Sequence, residues 1–216
     1  MTKFRILMID DHEMVLGGTK AVLAGQYPDA EIYEARTAQQ GLEQVRTVKP
    51  DVAVVDLSMP ETIGETAKVD TGIQLLRQIM QEFPTLNIVV QSAHVKSLIR
   101  IKSAISNHEG GFTIADKSLS MKEMLTKVEW AAQGVVFTPK EMRGGLELKP
   151  DWLEVLKLAF EEGLQDRMIG DRMNIAERTV RHYWSKIQDV LEVYPDDGKN
   201  IRIQTEKRAR EEGLID

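Results

Sequence analysis

Cysteine is absent from the 216 residues, which removes disulfides, thiolate metal sites and a cysteine nucleophile together. Histidine is nearly absent as well. The four histidines His12, His94, His108 and His182 lie far apart, none stands in a metal-ligand spacing, and a zinc centre is therefore not expected. No apolar run approaches the ~20 residues needed to cross a bilayer. The opening stretch Met1 to Asp10 turns acidic too soon for a signal peptide, so a cytoplasmic chain with no membrane partner is expected. Neither sign of charge dominates: a net charge of −6 argues against a wholly basic nucleic-acid coat without excluding one basic face.

What is present is a chain long enough for one good core and a smaller second one. Five short apolar runs, Phe4 to Ile9, Ala30 to Ala35, Val52 to Val55, Leu86 to Gln91 and Gly111 to Ala115, have the continuous character of strands buried on both faces. Between them Met14 to Gln26, Ala38 to Val48, Gly72 to Phe83, Val95 to Ser106 and Ser120 to Gln133 carry apolar residues at helical spacing. Five repeats of strand then helix predict an α/β doubly wound sheet of five parallel strands over residues 1–134. Residues 61–71, ETIGETAKVDT, break the pattern and predict a long loop of functional character. Val135 to Lys149, with Pro139, Gly144 and Gly145, reads as a linker over 135–148.

From 149 to 216 the chain reads as all helical. Asp151 to Glu162, Gln165 to Met173, Ala176 to Val193 and Ile201 to Glu212 form four helices, with Asn174 and Ile175 as a tight turn and YPDDGKN as a longer one. A small four-helix unit fits a binding module better than an enzyme core. Met168, Ile169, Met173, Ile175, Val180, Trp184 and Ile187 are expected to form its shared core, which leaves Arg178, Arg181, His182, Ser185 and Lys186 on an outer face.

The chemistry gathers at strand ends. Asp56 follows the last buried residue of VAVV, and Pro60 prevents the strand from continuing. Asp10 and Asp11 stand likewise after FRILMI, Ser92 ends NIVVQS, and Lys117 follows FTIAD. In open α/β sheets the ligand crevice lies outside the carboxyl ends of the strands, and with the usual order the first and third strands are neighbours. Three close carboxylates need a cation, and hard oxygen donors suit Mg²⁺. Asp11 taken alone fits equally well as the cap of the following helix.

IDDH, VVDLSMP, QSAH and ADKS stand in the order of the motifs of two-component receiver domains, and the first 130 or so residues resemble that flavodoxin-like family. The resemblance implies that Asp56 accepts a phosphoryl group from a histidine kinase. It implies that Asp11, Asp56 and the backbone carbonyl of Ser58 hold Mg²⁺, with Asp10 in the outer shell or through water. Lys117 would pair with the phosphoryl oxygens and Ser92 would hydrogen-bond one of them. A phosphatase of the haloacid-dehalogenase kind would need a second acid two residues beyond its nucleophile, where Ser58 stands, so the chain reads as a phosphoacceptor with slow self-dephosphorylation, not an enzyme.

The pattern departs from the family at the 61–71 insertion, in a longer Ser92 to Lys117 segment, and three residues before the lysine, where Ile114 replaces the usual aromatic. Either Phe112 relays the switch with Ser92, or no aromatic switch operates. MNIAERTVRHYWSKIQDVL resembles the helix-turn-helix of NarL/LuxR-type regulators. That resemblance implies a homodimer on double-stranded promoter DNA, with Arg181, His182 and Ser185 at base edges, Arg178, Thr179 and Lys186 at phosphates, and added backbone contacts from Lys207, Arg208 and Arg210. The alternative is an atypical receiver protein that ignores phosphate and binds DNA constitutively or under control of a protein partner.

Overall fold

The computed structural model describes residues 3–138, 148–196 and 198–216. The chain divides into two compact units, Met1–Arg143 and Gly144–Asp216.

The first unit is a parallel sheet with helices on both faces. Its elements run β1 (Arg5–Ile9), α1 (Glu13–Gln26), β2 (Glu31–Ala35), α2 (Ala38–Val48), β3 (Val52–Val55), α3 (Val69–Glu82), β4 (Asn87–Ser92), a 3-10 helix (Val95–Ile101), α4 (Lys102–Ser106), β5 (Phe112–Asp116), α5 (Met121–Ala132) and β6 (Val136–Phe137). The strands lie in the order β2-β1-β3-β4-β5-β6. Side chains alternate across the sheet, as the two-residue period of a strand requires. Leu7, Ile9, Ala53, Val55, Ile88, Val90, Phe112 and Ile114 meet α2, α3 and the Val95–Ser106 segment, whereas Ile6, Met8, Val52, Val54, Val89 and Ala115 meet α1 and α5. Both faces are buried, which explains why these strands read as unbroken apolar runs.

Three features differ from the sequence expectation. The sheet has a sixth strand: the Phe112 amide donates to the Val135 carbonyl at 3.0 Å, and β6 pairs with β5 where a linker was expected to begin. Phe137 is held by the Trp130 ring at 5.4 Å and by Lys127 Nζ at 3.6 Å from its own ring, contacts with no local sequence period. Residues 139–147 of the expected linker lie outside the described residues.

Second, α3 begins at Val69, so the inserted loop ends at Lys68, which pairs in antiparallel fashion with Met59. Gly72 brings α3 against the turn after Asp56, where a Cβ on this residue would stand 2.2 Å from the Leu57 carbonyl oxygen. Third, Val95–Ser106 is a 3-10 helix followed by one short α-helix. Its buried residues Ser97, Leu98, Arg100 and Ile101 recur every three positions, the period of a 3-10 helix.

The second unit holds α6 (Pro150–Phe160), α7 (Asp166–Met173), α8 (Glu177–Val190) and α9 (Ile201–Glu211). Pro150 opens α6, where its missing amide costs nothing. Asn174, left-handed at φ 55, ends α7, and the Ile175 amide returns to the Gly170 carbonyl at 2.9 Å, closing the tight turn before α8. Asn200 caps α9 through the amides of Arg202 and Ile203. The core uses Trp152, Val155, Leu156, Leu158, Ile169, Val180, Trp184, Ile187, Leu191 and Ala209. Met168, expected in that core, is 52% exposed, because Ile169 and Gly170 occupy the inner face of α7 and the preceding position points about 100° away. Met173 and Ile175 are half-buried.

Candidate phosphoacceptor and cation site

The register of the central strands builds the site. Ile9 pairs with Val55 across β1 and β3, and the Asp56 amide donates to the Ile9 carbonyl at 2.9 Å, so Asp10 and Asp56 leave neighbouring strands side by side. Ser92 ends β4, and the Lys117 amide donates to its carbonyl at 3.2 Å. The four strand ends named from the sequence thus converge at the carboxyl edge of one sheet.

Asp10 and Asp56 are 5% and 3% exposed, and Ser92 is fully buried. Lys117 Nζ lies 2.8 Å from Asp10 Oδ2 and 2.7 Å from Asp56 Oδ2. The remaining oxygens are also directed: Asp10 Oδ1 accepts from the His12 amide at 2.8 Å and Asp56 Oδ1 from the Leu57 amide at 2.7 Å. Burial pushes the Asp10 carboxyl above its usual range, against the lowering pull of Lys117 and the His12 amide. Burial alone would lower the Lys117 ammonium, but its hydrogen bonds to Asp10 and Asp56 outweigh that and raise it. One cation shared by two buried carboxylates leaves net negative charge in the pocket, which favours a further cation.

Asp10, Asp11, His12 and Asp56 each offer one ligand atom, and these atoms all lie within 4.8 Å of one another. Asp11 Oδ1 is buried and accepts no hydrogen bond among the described residues, facing only the His12 ring nitrogen at 2.7 Å. Three hard carboxylates suit a divalent cation such as Mg²⁺. Ser58 lies half-buried in the turn directly after Asp56 and Leu57. Asp11 does not cap α1: that position belongs to His12, which makes no side-chain capping bond. His12 is the member that sequence spacing missed, and its only signal was adjacency to the acid pair.

The switch candidates separate. Ser92 Oγ, at the carboxyl end of β4, accepts from the His94 amide at 3.2 Å. Ile114 pairs with Val90 near that end and packs with Leu98, Ile101 and Ile105. Phe112 is fully buried at the opposite end of β5, paired with Ile88 and edge-on to His108.

In the helical unit, Arg178, Arg181, His182, Ser185 and Lys186 are exposed on α8 and Thr179 is half-buried, opposite the inward Val180, Trp184 and Ile187. Arg181 hydrogen-bonds Glu177 and Lys186 lies 3.9 Å from Asp189, both pairs on the surface. The helix itself is fixed more firmly. Trp184 Nε1 donates to Asp166 Oδ1 at 3.0 Å, and the Arg202 guanidinium reaches both Asp166 oxygens at 2.9 Å while stacked 3.5 Å over the Trp184 ring. Lys207, Arg208 and Arg210 are exposed on α9, each beside a glutamate of the same helix or its end.

Residues 6–129 match the family described as response regulator receiver domain. Over 196 residues the chain is 24% identical to the DNA-binding transcriptional activator DevR/DosR of Mycobacterium tuberculosis, which covers 85% of this chain and 86% of that protein. It is 26% identical over 195 residues to the nitrate/nitrite response regulator NarL of Escherichia coli K12, covering 82% and 83%. The structure of RcsB from Salmonella enterica serovar Typhimurium bound to promoter rprA with the phosphomimetic BeF3- has the same fold, with a TM-score of 0.61 at 22% identity over 96% of this chain and 99% of that one. A structure of two RcsB dimers on two parallel DNAs gives a TM-score of 0.58 at 23% identity, covering 97% and 98%. Among the described residues no helix is long and apolar enough to cross a membrane.

Proposed function

The chain belongs to the response regulator receiver family, and from that premise we propose a cytoplasmic two-component regulator in which Asp56 takes a phosphoryl group from a histidine kinase and the helical unit binds promoter DNA as a homodimer. The observation that carries the first half is the Lys117 ammonium set between the Asp10 and Asp56 carboxylates at the carboxyl edge of the sheet.

In the transfer, an Asp56 carboxylate oxygen forms the new bond to phosphorus as the bond from phosphorus to the kinase histidine nitrogen breaks, and that nitrogen keeps the electron pair. Asp56 and the incoming group are both anionic, so transfer needs positive charge already in place. Lys117 supplies one such charge beside the acceptor oxygen. Asp10, Asp11, Asp56 and the Ser58 carbonyl would hold Mg²⁺, which when bound offsets the charge on the phosphoryl oxygens. The acyl phosphate brings about −1.5 to −2 of charge. Ser92, buried at the next strand end, would donate its hydroxyl to one of those oxygens. Its carbonyl is tied to Lys117 and its hydroxyl to the start of the Val95–Ser106 segment, so reorientation there would repack that segment beside Ile114. The slow loss of the phosphoryl group to water would follow from the same site.

For the helical unit, the exposed cations of α8 and the DNA-binding character of the relatives, DevR/DosR and promoter-bound RcsB, support promoter binding. Arg181 is assigned to a base edge with His182 and Ser185, and Arg178, Thr179 and Lys186 to phosphates. A single helix-turn-helix reads one half-site, which is why a homodimer belongs to the proposal.

Acetyl phosphate with Mg²⁺ should add one phosphoryl group to the mass of the wild type and none to Asp56→Ala, and phosphorylation should strengthen salt-sensitive retardation of genomic DNA fragments. A wild type left unmodified by both small donors and kinases would remove the phosphoacceptor reading, and equal DNA binding by Asp56→Asn and by wild type with or without donor would remove its dependence on phosphate.

A further inference from the structure

The acid cluster contains a nitrogen donor. His12 Nδ1 lies 2.7 Å from Asp11 Oδ1 and 3.3 Å from Asp10 Oδ1, although its ring is 61% exposed. Its backbone is fixed, since the His12 amide donates to Asp10 Oδ1 at 2.8 Å. Its side chain has no capping role at the start of α1. The ring therefore stands at the rim of the acid cluster with Nδ1 turned to the Asp10 and Asp11 carboxylates.

We propose that His12 Nδ1 is itself a ligand of the cation at this site and shifts its preference from Mg²⁺ towards divalent transition ions such as Mn²⁺ and Co²⁺. This rests on the cation-assisted reading of Asp56 given above. The spacing fits. An octahedral ion with donors at about 2.1 Å holds adjacent donors about 3.0 Å apart and opposite ones about 4.2 Å apart. The two His12 separations, 2.7 and 3.3 Å, bracket the adjacent value, and the 4.8 Å limit that encloses the whole group leaves room for the opposite one.

Donor chemistry then sets the direction of the preference. Carboxylate oxygens bind hard ions, and Mg²⁺ retains water in preference to taking extra protein ligands. Imidazole nitrogen is a borderline donor, and the affinity of mixed nitrogen and oxygen sites rises along the first transition row. With His12 added to the oxygen donors, Mn²⁺ or Co²⁺ exchanges a water for nitrogen at little cost, whereas Mg²⁺ gains nothing from the exchange. The other account of His12 is an ion pair to Asp11 that any bound cation displaces.

The test uses the full chain stripped of metal. Mn²⁺ is added and pulsed electron paramagnetic resonance reads nitrogen-14 coupling, while calorimetry gives the ratio of Mn²⁺ to Mg²⁺ affinity for wild type, His12→Ala, His12→Asn and Asp11→Asn. The expected results are a nitrogen coupling in the wild type that vanishes in His12→Ala, and an affinity ratio that falls about tenfold in both His12 variants with Mg²⁺ binding changed less than about twofold. An unchanged ratio with no nitrogen coupling, in a wild type that binds both ions and loses both in Asp11→Asn, would leave the cation site standing and overturn only the role of His12. A wild type that binds neither ion would overturn the cation site and this inference together. The wild-type coupling is read without any variant, so misfolding of a substituted chain cannot mask the answer.

Discussion

Lys117 Nζ lies 2.7 Å from Asp56 Oδ2, although 61 residues separate them in the chain. The same nitrogen reaches Asp10, so a single ammonium compensates two carboxylates that are both withdrawn from water. Removing one partner of such an arrangement strands the rest, and that asymmetry gives the first prediction.

Lys117→Met should destabilise the metal-free protein by about 2 to 4 kcal/mol at neutral pH, because two buried carboxylates lose their counter-charge. Mg²⁺ should recover more stability in the variant than in the wild type. Urea unfolding with and without Mg²⁺ checks both statements, and matching midpoints for the two metal-free proteins would refute them.

Gly72→Ala should cost about 1 to 3 kcal/mol and slow phosphoryl acceptance by Asp56. The added Cβ meets the Leu57 carbonyl oxygen at 2.2 Å, and that contact is backbone, which cannot swing aside as a side chain could. Separating α3 from the turn after Asp56 also moves the amide that Leu57 gives to Asp56 Oδ1. Thermal unfolding and the rate of labelling by acetyl phosphate provide the two readings.

His108 predicts a pH dependence of stability in the first unit. The residue is 8% exposed, Nε2 contacts the Leu86 carbonyl at 2.7 Å, and burial depresses its pKa below the usual 6.5. The folded state therefore binds this proton less readily than the unfolded chain, so the contribution is present above pH 6.5 and is lost as pH falls from there through the folded value. His108→Leu should flatten that part of the curve. Denaturant unfolding between about pH 5 and 8 would decide it, a slope identical in the two proteins counting against His108.

On α8, Arg181→Ala and Lys186→Ala should differ in kind. A bidentate guanidinium at a base edge contributes about 1 to 3 kcal/mol of discrimination, so Arg181→Ala should relax the choice of operator. Lys186→Ala should weaken all sequences nearly equally and reduce the salt slope by about one. Binding isotherms against specific and scrambled duplexes at several salt concentrations would separate them; indistinguishable profiles would mean the assignments are wrong.

Much of this was legible along the chain. Val52–Val55 and Asn87–Ser92 announce doubly covered strands because burial on both faces removes any need for polar alternation, and an acid, hydroxyl or lysine directly after such a run has nowhere to go but the sheet's edge. Other features were not legible for equally physical reasons. A two-residue strand such as Val136–Phe137 is too short to show a period, and it exists because β5 offers an unpaired edge and Trp130 and Lys127 hold Phe137. The Val95–Ser106 segment has enough apolar residues for one α-helix, and the three-residue recurrence of burial becomes visible only once its neighbours are in place. Met168 has the side chain of a core residue, but one helical position turns it to solvent.

By itself the sequence determined the layering of the first unit, the helix-turn-helix of the second, and the presence of Asp10, Asp56, Ser92 and Lys117 at strand ends, since each depends on hydrophobic pattern and turn chemistry within a few residues. Only the tertiary structure decided that Asp10, Asp56 and Lys117 meet and that the His12 ring stands beside Asp11 at their rim. Strand order and register are properties of packing between distant segments, so the 2.7 Å approach of Lys117 to Asp56 and of His12 to Asp11 is encoded in no single stretch of the chain.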